Sequence, residues 1–146
     1  MKISEKGIDF IKHFEGLRLQ SYLCMGNTWT IGWGATKIYG VKVKNGDVIN
    51  TEDAEELLKH DIKRFEEIVN TRINIPITQT QFDALVSHSY NTGGSDTLFE
   101  LINKGERKEI IREWFENTYI TANGKQLNGL ITRRKKEANL FYANEF

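Results

Sequence analysis

Apolar positions recur at helical spacing from the start of the chain. Ile8, Phe10, Ile11 and Phe14 fall on one side of a helix that Ser4 can cap and Gly16 can end. The stretch from Leu17 to Gly34 then breaks that period with glycines and β-type residues and reads as a hairpin. Val41 and Val43 alternate with Lys42 and Lys44 ahead of an Asn45-Gly46 turn, so one small antiparallel sheet is predicted after the first helix. Asn50 or Thr51 can cap a helix running to about Thr71, with Ala54, Leu57, Leu58, Ile62, Phe65 and Val69 as its buried stripe. About twenty helical residues span roughly 30 Å, enough to join two lobes. Ile75-Pro76 ends that segment, because a residue before proline is pushed out of the helical region. Thr78 to Gln81 forms a Thr-x-x-Gln capping box for a helix whose inner face is Phe82, Leu85, Val86, Ser89 and Tyr90, and Gly93-Gly94 stops it. Shorter helices are predicted over Ser95 to Asn103 and Glu106 to Asn117. Asn123-Gly124 marks a turn, and a last helix from about Gly129 to Tyr142 buries Leu130, Ile131, Leu140 and Phe141.

This order of elements predicts an α+β fold with a small sheet lobe over about 16–50, a connecting helix over about 51–71 and a mostly helical lobe over about 72–146. A cleft between lobes suits an elongated ligand. With 146 residues the chain fits one domain and can bury a core without metal or disulfide staples. Cys24 is the single cysteine, which excludes an intramolecular disulfide. No apolar run approaches the roughly 18 residues of a membrane span, and the N-terminus leads directly into a charged amphipathic helix. The expectation is a protein made in the cytoplasm without its own export signal or membrane insertion.

Lys plus Arg and Asp plus Glu each number 20, so overall charge gives no case for nucleic acid. The distribution is uneven: residues 47–67 hold eight acidic and three basic side chains, and residues 104–136 hold nine basic and four acidic. Arg133-Arg134-Lys135-Lys136 is the one run that could attract DNA, but no reading motif accompanies it. His13, His60 and His88 show no paired ligand spacing, so neither a metal nor another cofactor is expected.

Glu15 carries the candidate chemistry. It stands in the last turn of the first helix, where the negative end of the dipole disfavours a carboxylate and biases the group towards its protonated form. A general acid needs that bias; the plainer reading is a helix-end carboxylate paired with Arg18 or another arginine. Cys24 is either a small buried hydrophobe or a thiol that activates water or attacks as a nucleophile. Its ordinary pKa of about 8.5, raised further by a nearby carboxylate, leaves little thiolate at neutral pH unless the site opposes this. Thr30 is either a common strand residue or a hydroxyl that holds water. Gly32 and Gly34 allow close approach of the backbone to a ligand, and Trp29 and Trp33 are either core or rim aromatics or platforms for a sugar ring.

Taken together, Glu15, Cys24 and Thr30 resemble the signature of the phage-type lysozymes, glycoside hydrolase family 24, which places Glu, Asp or Cys, and Thr at this spacing. The surrounding Glu15-Gly16-Leu17-Arg18, Tyr22 and Thr30-Ile31-Gly32-Trp33-Gly34 match the same pattern. Gln81 to Val86 leading to Tyr90-Asn91-Thr92-Gly93, and Gly129 to Arg134, are similar to two further signature segments. The resemblance covers nearly the whole chain. It implies a single lysozyme-like domain over 1–146, with the N-terminal helix joining the helical lobe. It also implies a muramidase, an endolysin that cleaves the β-1,4 bond between N-acetylmuramic acid and N-acetylglucosamine in peptidoglycan. Glu15 is then the general acid, with Cys24 and Thr30 positioning or activating water, and inversion is the favoured outcome. Tyr90, Asn91 and Arg133 are implied as substrate contacts, with Arg133 or Arg134 holding the acid. A monomer that waits in the host cytoplasm for a holin or other permeabiliser is implied as well. Ala35 departs from the T-even enzymes, which have a histidine there in a structural ion pair. The alternative is a peptidoglycan-binding protein whose turnover is impaired by Cys24.

Overall fold

The computed structural model describes residues 1–24 and 26–143. Its order is α1 (Glu5–Glu15), β1 (Arg18–Leu23), β2 (Trp29–Gly32), β3 (Lys37–Ile38), β4 (Val41–Lys42), α2 (Thr51–Arg72), α3 (Gln79–Thr92), α4 (Asp96–Asn103), α5 (Lys108–Asn117), β5 (Thr121–Ala122), β6 (Lys125–Gln126) and α6 (Asn128–Phe141). This is a mixed α+β chain with a helical majority, as the periodicity predicts. It divides into two compact units, one of Ile11–Arg64 and one of Met1–Phe10 with Phe65–Phe146, the divisions falling inside α1 and α2. The last three residues of the expected helical lobe lie outside the described residues. Among the described residues no helix is long and apolar enough to cross a membrane.

In the Ile11–Arg64 unit, β1 and β2 pair antiparallel with Tyr22 opposite Thr30 and Leu23 opposite Trp29. Where one sheet is expected, the chain makes two hairpins, β1-β2 and β3-β4, supplemented by isolated bridges from Gln20 to Val48 and from Ile31 to Ala35. The core beneath them is Ile31, Ala35, Val43 and Leu57, with Trp29, Ile38 and Ile49 packed against it. The alternation of Val41 with Val43 does not hold. Because β4 ends at Lys42, Val43 turns inward at 5% exposure while Val41 stays 63% exposed. The long helix enters through Asn50, whose Oδ1 accepts the Asp53 N–H at 2.7 Å. Its predicted stripe from Ala54 to Val69 is buried throughout.

In the other unit, Thr78 and Gln81 make the complete capping box of α3. Ser4 starts α1 by accepting the Gly7 N–H at 3.0 Å, and the buried Asp83 of α3 receives both the Ser4 N–H and its hydroxyl. Phe82, Leu85, Val86, Leu98, Phe99, Ile111, Phe115, Leu140 and Phe141 form the apolar interior. The predicted stripe of α6 holds in its second half, where Leu140 and Phe141 are buried, and needs correction in its first: Leu130 and Ile131 are only half-buried, and Arg133, Arg134, Glu137 and Ala138 turn inward instead. Arg133, Arg134, Glu137 and Ala138 fall at i, i+1, i+4 and i+5, so a helix face of normal spacing carries charges that pair with one another, both arginines with Glu137.

Candidate active site

Glu15 is the last residue of α1, and the chain leaves the helix through Gly16 in the left-handed region at φ 70°, with its N–H bonded to Lys12 O at 2.9 Å. One turn earlier, Lys12 forms an ion pair with Glu55 and lies 4.5 Å over the ring of the buried Trp33. These contacts fasten the end of α1 to the elements around it. The half-buried Glu15 side chain lies against the Cα of Gly34: a methyl group added there would sit 2.7 Å from Oε1 and 3.3 Å from Cδ. Gly34 has φ +89°, so a side chain is opposed by both space and conformation. The backbone at Gly34 therefore comes close to the Glu15 carboxyl group. Arg18, the alternative partner considered for Glu15, has its guanidinium 5.0 Å over the Tyr22 ring.

Cys24 follows β1 in a tight turn, with its N–H bonded to Thr28 O at 3.1 Å and its carbonyl accepting from Asn27 N at 2.9 Å. Burial pushes the thiol pKa up, but hydrogen bonds from the backbone of Gly26 and Thr28 and from the Thr30 hydroxyl outweigh this and bring it below its ordinary value. The sequence suggested the opposite direction, from the nearby carboxylate. Turn geometry supplies the sulfur's hydrogen-bond donors, and that geometry is not written in residue spacing. Thr30 is buried, and its hydroxyl donates to Thr28 O at 3.0 Å. Tyr22 stands across the ladder from Thr30. Its phenol pKa is raised, first by burial and then by the negative charges of Cys24 and Glu15, against Arg18. Glu15, Cys24 and Tyr22 thus share one electrostatic neighbourhood.

The other candidates belong to the second unit. Tyr90 at the end of α3 meets Phe65 edge-on at 5.5 Å between ring centroids, and the exposed Asn91 accepts a hydrogen bond from Arg134 Nη2. Arg133, expected as a substrate contact, is 3% exposed. It donates from Nε to Glu137 Oε2 at 3.2 Å and from Nη2 to Ser87 O at 3.2 Å. Arg134 is fully buried and has its Nε 3.3 Å from Glu137 Oε1. Neither arginine belongs to a solvated basic face.

Sequence reasoning missed Glu137 and Ser87. The signal was present, since Glu137 is three and four residues beyond the two arginines, the spacing at which helical side chains meet. Burial raises the Glu137 carboxyl pKa against the pull of Arg134 and Arg133. Beside this group, burial and then the charges of Arg134 and Arg133 hold the His88 imidazole down to about 3. His88 is enclosed by Trp114, Phe115 and Tyr119, with ring centroids 6.0, 5.4 and 5.6 Å away.

Residues 12–137 match the phage lysozyme family. The chain is 40% identical over 147 residues to an endolysin of Acyrthosiphon pisum secondary endosymbiont phage 1, covering 97% of this chain and 98% of that one. It is 39% identical to the endolysin of Bacillus phage B103, where 99% of this chain spans 56% of that protein. Among solved structures, an endolysin from Escherichia coli O157:H7 phage FAHEc1 superposes with a TM-score of 0.88 at 38% identity, covering 100% of this chain and 96% of that one.

Proposed function

The chain belongs to the phage lysozyme family, and from that premise we propose that it is an endolysin hydrolysing the β-1,4 bond between N-acetylmuramic acid and N-acetylglucosamine, with Glu15 as general acid. It is a muramidase by family, and peptidoglycan lysis is the activity that its relatives' names carry. The observation that supports Glu15 most is its placement: a half-buried carboxyl group at a helix end lies against the Cα of Gly34, where an added side chain would have to displace it. An acid that must protonate one particular oxygen gains rate from such positioning.

In the proposed reaction the Glu15 proton passes to the glycosidic oxygen as the bond from that oxygen to the anomeric carbon breaks, and positive charge develops on the ring. Cys24 and Thr30 hold a water on the opposite face. That water attacks the anomeric carbon, its proton is accepted by the Cys24 thiolate, and the product has inverted configuration. The hydrogen bonds that lower the Cys24 pKa favour the form able to accept this proton. Proton return from Cys24 to Glu15 through solvent completes the cycle. Tyr90 and Asn91 are proposed as glycan contacts, and residues 1–146 as one catalytic domain. The proposal extends to a monomer that is cytoplasmic until a holin or similar permeabiliser admits it to the wall.

Digestion of purified peptidoglycan tests bond and stereochemistry together. Muropeptides ending in reducing N-acetylmuramic acid, with the α-anomer appearing first by NMR, are expected. Reducing N-acetylglucosamine ends would reject the bond assignment, and an initial β-anomer would reject the water-attack role of Cys24. Binding without product release would identify a glycan-binding protein instead.

A further inference from the structure

Resting on the reading of Asn91 as a glycan contact, we infer that Glu137 is a positioning residue for substrate binding: it aims the adjacent guanidiniums of Arg133 and Arg134 in different directions, so that Arg134 fixes which end of the Asn91 amide faces the glycan. Glu137 is fully buried, and its oxygens are divided. Oε2 accepts the Ser87 hydroxyl at 2.6 Å and Arg133 Nε at 3.2 Å, while Oε1 lies 3.3 Å from Arg134 Nε. Arg133 is tied further to α3, with Nη2 3.2 Å from Ser87 O and 3.3 Å from Ser87 Oγ. Arg134 reaches the other way along α3 and donates from Nη2 to Asn91 Oδ1.

The direction of that last bond decides the chemistry. A guanidinium has donors only, so Arg134 can engage only the oxygen of the Asn91 amide. The Asn91 NH₂ is thereby the end available to a ligand, and Asn91 meets the glycan as a hydrogen-bond donor. Its partner is an acceptor oxygen of the sugar, a hydroxyl or an N-acetyl carbonyl. An unsupported asparagine on an exposed helix end would rotate and present either end. The arrangement Ser87, Glu137, Arg134, Asn91 removes that freedom before substrate arrives, and preorganisation of this kind appears in binding. Arg133 has the complementary duty of anchoring Glu137 to α3, which assigns Arg134 the link to the site.

A double-mutant cycle on KM for soluble glycan strands separates this from a purely structural role. Asn91→Ala should raise KM about tenfold with kcat within about twofold, the effect of losing one hydrogen bond made alike in ground and transition states. Asn91→Asp, which keeps the contact to Arg134 but removes the NH₂ donor, should raise KM similarly. Glu137→Gln should raise KM in the wild-type background and add nothing further when Asn91 is already alanine. Circular dichroism and thermal melting verify folding. If Glu137→Gln does not fold, Ser87→Ala, which removes the 2.6 Å bond to Oε2, takes its place in the cycle. Full additivity in the double variant, or a Glu137→Gln protein with lowered Tm and unchanged KM, would overturn the positioning role while leaving Asn91 as a glycan contact. Unchanged KM in both Asn91 variants would overturn the glycan contact, and the inference with it.

Discussion

The Glu15 carboxyl group lies so close to the Cα of Gly34 that a methyl group there would meet Oε1 at 2.7 Å and one of the two would have to move. Gly34→Ala should therefore displace the proposed acid as well as strain a backbone at φ +89°. The strain alone is expected to lower stability by about 1–3 kcal/mol, visible as a reduced Tm. Turnover should fall by at least about tenfold in protein that is still folded, since small displacements of a reacting group carry large rate penalties. Near-normal kcat in a folded Gly34→Ala protein would show that the contact does not set the position of Glu15.

Cys24 and Thr30 give a second expectation. The hydroxyl of Thr30 is one of the groups that lower the thiol pKa, so Thr30→Val should move that pKa upward. Alkylation by iodoacetamide, followed against pH, should have its inflection below that of a free cysteine in the wild type and at higher pH in Thr30→Val. Oligosaccharide should protect the thiol. Cys24→Ser should be much slower than wild type and Cys24→Asp should keep substantial activity. Full activity in Cys24→Ala would remove the cysteine from the reaction.

His88 makes stability depend on acid. Its imidazole is held at about 3 in the folded protein against 6.5 ordinarily. The unfolded chain therefore binds a proton at a pH where the folded chain does not. The stability associated with neutral His88 is fully present above pH 6.5 and is lost as pH falls towards 3, with a limiting slope of about 1.4 kcal/mol per pH unit. His88→Phe keeps ring contacts with Trp114, Phe115 and Tyr119 and removes the titration. Urea midpoints between pH 6.5 and 4 should fall less steeply for His88→Phe than for wild type. Glu137 works in the opposite direction, since its pKa is raised, but it is present in both proteins. Parallel curves would show that His88 does not carry the acid sensitivity.

Helices and their caps were largely legible in the chain. The stripe from Ala54 to Val69, the Thr78–Gln81 box and the stop at Gly93 all rest on local periodicity and turn chemistry, which need no knowledge of distant partners. The inward face of α6 was legible only at Leu140 and Phe141. A binary pattern assigns Arg133, Arg134 and Glu137 to solvent, and only their mutual pairing and the approach of Ser87 from α3 make burial acceptable. The same limit applies to the candidate site. The family resemblance is what singles out Glu15, Cys24 and Thr30 as a candidate set. The closeness of Glu15 to Gly34 and the donors around Cys24 depend on loop conformations that residue identity only permits.

The most direct test of Glu15 as general acid is turnover by Glu15→Gln, measured as reducing-end release from purified peptidoglycan with folding checked by thermal melting. The amide preserves shape and removes the transferable proton. The expected result is a folded protein that still binds peptidoglycan and has kcat reduced by about 10²–10⁴; a folded Glu15→Gln protein with near-normal kcat would contradict the assignment.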